Sequence, residues 1–145
     1  MKILKILIVL LLSLALPVPV YANTSTITNE QFNDIMLLAK VINGEAGANW
    51  CSDEMRYGVG SVVANRVQHE AFPDTYKEVI YQSGQYGCLN TRYFKEVPPE
   101  HCVAIAADII IGGNNKYPPD VVYQSNQPLG SGTYEHIQNM YFGYI

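Results

Sequence analysis

The sequence predicts an α+β domain, with its helices first and a small antiparallel sheet late in the chain. Three observations point there. Apolar residues recur at spacings of three and four through residues 29–111. Gly and Pro clusters divide that stretch into separate helices. After Pro118-Pro119 the pattern changes, and residues 121–124 and 140–144 read as short strands. Helices and strands segregated along the chain are the α+β pattern, not the alternation of a parallel sheet.

The first helix is expected over residues 29–43. Thr28 with Gln31 forms a capping box, and Phe32, Ile35, Met36, Ala39 and Ile42 make one buried face. Gly44 reads as its stop signal. Ser52 is the N-cap of a second helix, from Asp53 to about His69. Asp53 and Glu54 lie in its first turn, where the macrodipole favours negative charge. Its apolar stripe of Met55, Val59, Val62, Val63 and Val67 is interleaved with Gly58, Gly60, Ser61 and Ala64. A glycine costs about 1 kcal/mol against alanine in a helix interior. Close packing against the first helix is the expected compensation. Near the end of this helix, Asn65 fits a buried hydrogen-bonding role, and Arg66 fits a partner for a carboxylate across a cleft.

Phe72-Pro73-Asp74 breaks the chain, and Thr75 with Glu78 opens a short helix through about Tyr81. A turn over residues 82–88 places glycine on both sides of Gln85-Tyr86. Such a turn can approach a ligand closely, and an amide and a phenol suit sugar hydroxyls and acetamido groups. Residues 89–98 read as irregular. Pro99 fits the first turn of a helix over residues 100–111, which Gly112-Gly113 ends. Residues 127–132 read as a loop.

A chain of 145 residues points to one domain. Residues 1–22 read as a signal peptide: Lys2 and Lys5, an apolar run from Ile6 to Leu16, and Val20-Tyr21-Ala22 as a cleavage site. The run is shorter than the ~20 apolar residues that a membrane span needs. Residues 23–145 are then the secreted domain, with no stable membrane span after processing and a monomeric state expected. That part carries 7 basic and 13 acidic residues, no basic patch and no Lys/Arg run, so a nucleic-acid partner is not expected. The 11 tyrosines supply flat apolar faces with polar tips, the kind of surface that carbohydrate clefts use.

Export permits one disulfide among Cys51, Cys88 and Cys102. Cys51–Cys88 is the favoured pair, because it would tie two candidate site segments together. Cys88–Cys102 is the alternative. With no C-x-x-C, and with His69, His101 and His136 far apart, neither a metal site nor a cofactor is expected.

The chemistry centres on Val41-Ile42-Asn43-Gly44-Glu45-Ala46-Gly47-Ala48-Asn49-Trp50-Cys51. Glu45 is one carboxylate among small residues that leave space beside it, with Trp50 as an aromatic wall. It follows a helix C-terminus, where the macrodipole disfavours negative charge, so a partly desolvated carboxylate there is expected to keep a proton near neutral pH.

Four segments carry a resemblance: Leu38 to Gly47, Val59 to Val67, Phe72 to Thr75, and Val79 to Tyr86. Together they resemble the cell wall hydrolase family that includes the spore cortex-lytic enzymes, over about residues 35–143. The resemblance implies a compact lysozyme-like or resuscitation-factor-like fold and a peptidoglycan-cleaving activity. It also implies that Glu45, the glutamate of the G-E-A segment, is the catalytic acid. The family is usually described as lytic transglycosylases acting between N-acetylmuramic acid and N-acetylglucosamine, although an older label calls some members amidases. These residues depart from the family's pattern in two ways: no accessory peptidoglycan-binding domain is expected in them, and they include cysteines that many members lack.

A glycosidase that hydrolyses its substrate needs two carboxylates. This sequence offers one well-placed candidate, since Asp53 and Glu54 are explained by helix capping. A lytic transglycosylase needs only one. Gln85, Tyr86 and Tyr123 are then expected to help bind the sugar, with Asn65, Arg66 and Trp50 as further candidates. The alternatives are an N-acetylmuramoyl-L-alanine amidase, which needs a zinc site, and a non-catalytic peptidoglycan-binding protein.

Overall fold

The computed structural model describes residues 26–145, so the expected signal peptide lies outside the described residues. Five helices come first: α1 (Asn29–Ala46), α2 (Asp53–Gln68), α3 (Tyr76–Tyr81), α4 (Arg92–Lys95) and α5 (Glu100–Ile110). A single 3-10 turn, Gly87–Asn90, lies between α3 and α4. Three strands follow: β1 (Val121–Ser125), β2 (Gly132–Ile137) and β3 (Met140–Tyr144). They form one antiparallel sheet in the order β1-β3-β2, with the last strand in the middle. The α+β class expected from the sequence holds. No described helix is long and apolar enough to cross a membrane.

The helix starts follow their caps. Thr28 and Gln31 make the reciprocal capping box of α1, Ser52 caps α2, and Thr75 accepts from the Glu78 amide to cap α3. α1 packs against α2, α4 and α5, and α2 carries the helical layer onto β1. Leu38, Val41 and Ile42 of α1 meet Val59, Val62 and Val63 of α2 in a fully buried core, and Phe142 of β3 is buried in the same cluster.

The small residues of α2 do the work expected of them, but for more partners than α1 alone. A Cβ on Gly58 would lie 2.6 Å from Phe142 Cζ and 2.7 Å from the Tyr117 hydroxyl. A Cβ on Gly60 would meet the Ile109 and Ile42 methyl ends. Gly58 therefore admits the sheet, whereas Gly60 admits α1 and α5.

Five expectations need correction. α1 does not stop at Asn43 but continues through Ala46, so Glu45 lies inside the last helical turn. Gly44 is a packing glycine: a Cβ there would lie 2.6 Å from Cys88 Cβ and 2.9 Å from its Sγ. The stretch expected to be irregular contains α4, where Thr91 caps four residues and buries Phe94. Pro99 is the N-cap of α5 rather than a first-turn residue. Finally, β2 gave no clear signal in the sequence. It is a mostly exposed edge strand with little apolar alternation. Its turn to β3 also lacks the usual Asn-Gly or Asp-Gly pair, using Gln138 at φ 56° instead.

Overpacking a core costs about 1–3 kcal/mol, while replacing a helical glycine by alanine gains about 1 kcal/mol. At Gly58 the obstacles are a buried ring and a phenol that donates to Glu135 at 2.8 Å. At Gly60 they are flexible methyl ends. Gly58→Ala should therefore melt at a lower temperature than the parent, and lower than Gly60→Ala, in circular-dichroism scans. Equal midpoints for the two variants would contradict this packing account.

Candidate active site around Glu45

Glu45 is half-buried in the last turn of α1. That turn has free carbonyls, and a buried arginine takes two carbonyls of this segment. Arg56 Nε donates to the Ala46 carbonyl and Nη2 to the Ala48 carbonyl, both at 3.1 Å, while Nη1 pairs with Asp53 at 2.8 Å. A cation at a helix C-terminus is favoured by the macrodipole. Arg56 thus ties the end of α1 to the start of α2 and fixes the backbone on which Glu45 stands. Sequence reasoning missed it; the available signal was an arginine three residues after Asp53, at i,i+3 spacing for an ion pair.

Cys88 of the 3-10 turn packs into the gap left by Gly44, beside Glu45. Burial pushes its thiol well above the ordinary range, and the Glu45 carboxylate adds to this by its charge and by accepting a hydrogen bond from the thiol. Cys88 is therefore a neutral thiol, not a nucleophile. Tyr86, two residues earlier, is also buried. Burial raises its phenol to about 12, with Arg66 opposing and Glu45 and Cys88 adding. Glu45, Cys88 and Tyr86 thus form one cluster on the α1 terminus.

Behind this cluster, Arg66 joins three elements. Its Nε donates to the Val122 carbonyl of β1 at 2.7 Å, and its Nη1 donates to the Tyr86 hydroxyl at 3.1 Å. The guanidinium also lies 5.3 Å from the Phe72 and Tyr86 ring centroids. Asn65 Nδ2 donates to the Pro118 and Val121 carbonyls at 2.7 and 2.9 Å, and its Oδ1 accepts from Asn115 at 2.6 Å. The buried hydrogen-bonding role read for Asn65 holds. The role read for Arg66 does not: these partners are a strand carbonyl and a phenol, not a carboxylate across a cleft. Asn65, Arg66 and Tyr86 are each about 5% exposed or less, so they brace the site rather than face a substrate.

The other candidates are at the surface. Gln85 is exposed on the turn that carries Tyr86, and Trp50 is 58% exposed on the α1–α2 connection. Tyr123 is half-buried on β1, and its ring packs where a Cβ on Gly130 would lie. None of these three side chains hydrogen-bonds Glu45. Three other carboxylates are paired: Asp53 with Arg56, Glu54 with Lys116, and Glu135 with Lys116 and Tyr117.

Neither expected disulfide is formed. All three cysteines are free and buried. Cys88 faces Gly44 and Glu45, whereas Cys51 and Cys102 both lie within the field of Arg56. Among the hollows of the described surface, four of about 270 to 550 Å³ are not lined by Glu45. Among the described residues no three His, Cys, Asp or Glu side chains converge on one point.

The buried phenols set a pH limit. Burial raises Tyr86 and Tyr76 from 10.0 to about 12. An unfolded chain would ionise them from about pH 10, while the folded chain keeps them neutral to about pH 12. Their contribution to stability is complete below pH 10 and is lost as the pH rises toward 12. Urea midpoints should be flat on this account up to about pH 10 and fall above it, and Tyr86→Phe should soften the fall. A midpoint that rises through this range would contradict the burial of these groups.

Comparison with solved structures gives the same architecture. The catalytic domain of the SleB protein of Bacillus cereus superposes with a TM-score of 0.62 at 22% identity, over 77% of this chain and 89% of that one. The catalytic domain of the germination-specific lytic transglycosylase SleB from Bacillus anthracis gives 0.61 at 21% identity, over 76% and 93%. At such identities the likeness is one of fold. A search of curated proteins found no match. The model of the cell wall hydrolase family matches residues 52–142, from the N-cap of α2 to β3, beginning just after Glu45. With well over half its length matched, this chain belongs to the cell wall hydrolase family.

Proposed function

We propose that this chain is a secreted peptidoglycan-cleaving enzyme. It cuts the glycan bond between N-acetylmuramic acid and N-acetylglucosamine as a lytic transglycosylase, with Glu45 as its single general acid and base. One observation carries the reading: Glu45 is half-buried and held in a braced helical turn, while Asp53, Glu54 and Glu135 are each tied up in ion pairs. Family membership supports the substrate class. The Bacillus anthracis domain of similar fold is described as a lytic transglycosylase, which agrees with the reaction type.

The chemistry needs no second acid. Glu45 gives its proton to the glycosidic oxygen as the bond from that oxygen to the anomeric carbon breaks. The muramic acid's own 6-hydroxyl then closes on the anomeric carbon and returns a proton to Glu45. The product is a 1,6-anhydro sugar, and no water is consumed. Gln85 and Tyr123 are the side chains we assign to sugar hydrogen bonding. Tyr86, Asn65 and Arg66 act behind them as supports. Export through residues 1–22 would place the enzyme at its substrate.

General acid–base catalysis typically contributes about 10²–10⁴-fold in rate. Glu45→Gln should lower release of muropeptides from purified cell walls by at least about a hundredfold, with an unchanged melting temperature. Full retained release by a folded variant would reject Glu45 as the acid.

A further inference from the structure

The connection from α1 to α2 is held more tightly than a surface loop requires. Cys51 N donates to the Ala48 carbonyl at 2.9 Å, and Arg56 holds the Ala46 and Ala48 carbonyls. The rest is held from the far end of the chain. Gln138, in the β2–β3 turn, donates through Nε2 to the Trp50 carbonyl at 2.7 Å and accepts through Oε1 from the Ser52 amide at 3.0 Å. One amide side chain thus brackets Cys51 and fixes the backbone on either side of it.

This clamp is built on strained backbone. Gln138 is the single non-glycine residue with positive φ among the described residues, at 56°. Such a conformation is disfavoured for a residue with a side chain and persists where the surroundings enforce it. Beside the turn, the cross-strand pair His136 and Tyr141 stacks face to face, with centroids 3.8 Å apart and planes 8° from parallel. The hairpin end is therefore stiff, and it delivers the Gln138 amide to a fixed place.

The residue held in this way is Trp50, which is 58% exposed. A lone exposed apolar side chain is ordinary. This one stands on a backbone fixed by long-range bonds, five residues after Glu45. Fixing the backbone beneath an exposed aromatic residue brings little to the free protein. It lowers the ordering cost when a flat, partly apolar ligand binds. The hexosamine rings of a glycan strand present such a face.

We infer that Trp50 is a saccharide-stacking subsite and that Gln138 is the positioning residue that holds it. A hexosamine ring of the glycan strand stacks on the indole, next to the sugars on which Glu45 acts. This deepens the function proposed above and rests on it for the identity of the ligand.

Trp50 is the one tryptophan of the chain, so intrinsic fluorescence reports on it alone. The probe is soluble glycan strands freed of stem peptides, titrated into the full domain carrying Glu45→Gln. A saturable blue shift is expected, with reduced quenching by acrylamide. Gln138→Gly accepts the positive φ without strain but removes the clamp, so it should fold normally. It should weaken binding about tenfold, while Trp50 emission becomes more mobile in anisotropy. Glu45-competent Gln138→Gly should show a raised KM and a nearly unchanged kcat. Trp50→Ala, at an exposed site, should weaken retention on cell walls to a similar degree. Two results would overturn the inference: glycan binding that leaves Trp50 emission unmoved, or Gln138→Gly binding as tightly as its parent. Failure of the Glu45 assignment looks different, since Glu45→Gln would then keep releasing muropeptides whatever the fluorescence shows.

Discussion

The last turn of α1 must stay helical for the rest of the site to exist. Gly44 works against it, at about 1 kcal/mol in a helix interior. Two interactions outweigh that. The absent side chain lets Cys88 and Phe94 pack on the helix, and burying apolar side chains is worth roughly 1.5–3 kcal/mol each. Arg56 then takes the Ala46 and Ala48 carbonyls with charge-assisted bonds, worth about 1.5–3 kcal/mol apiece. A carboxylate two residues before Gly47 therefore inherits a fixed direction. Were α1 to fray at Asn43, Glu45 would become a loop residue with no defined neighbours.

The second support comes from the other end of α2. Asn65 and Arg66 are consecutive, and both reach the backbone of β1 or of the turn before it. Arg66 also holds the Tyr86 hydroxyl, so the sheet, α2 and the turn before Cys88 move as one body. The same turn presents Cys88 to Gly44. A chain of direct contacts thus runs from the sheet through Arg66, Tyr86 and Cys88 to the α1 terminus. The polar groups in it are buried and mutually satisfied, which is the condition under which such networks stiffen a fold.

What could be read from the sequence follows from how local each signal is. Thr28 with Gln31, Ser52, and Thr75 with Glu78 are caps set by neighbours three residues away, and all three appear where the sequence placed them. The apolar stripes of α1 and α2 were equally legible. Gly44 was misread because a glycine near the end of a periodic segment stops a helix as often as it admits a neighbour, and its neighbour lies 44 residues away. β2 was lost because an exposed edge strand carries little apolar alternation, and because its turn residue is secured by distant partners. The cysteines were read as a tether because sequence shows thiols but not their facing. At the proposed site, Glu45 stands out in the sequence through its segment. The supporting roles of Arg56, Cys88 and Gln138 do not, since each depends on tertiary contacts. Tyr86 and Arg66 are candidates in the sequence, and the structure shows them buried and bonded to each other.

A braced single carboxylate, with its nearest acidic neighbours along the chain committed to cations, favours a reaction in which one group serves as acid and then as base. The central claim is therefore about the product. Mass spectrometry of glycan fragments released from purified cell walls reads it directly. Muramic acid ends in the 1,6-anhydro form, one water lighter than reducing ends and absent with Glu45→Gln, are the predicted result. Reducing ends alone would mean that water is the acceptor and that a second catalytic group exists, contradicting the account.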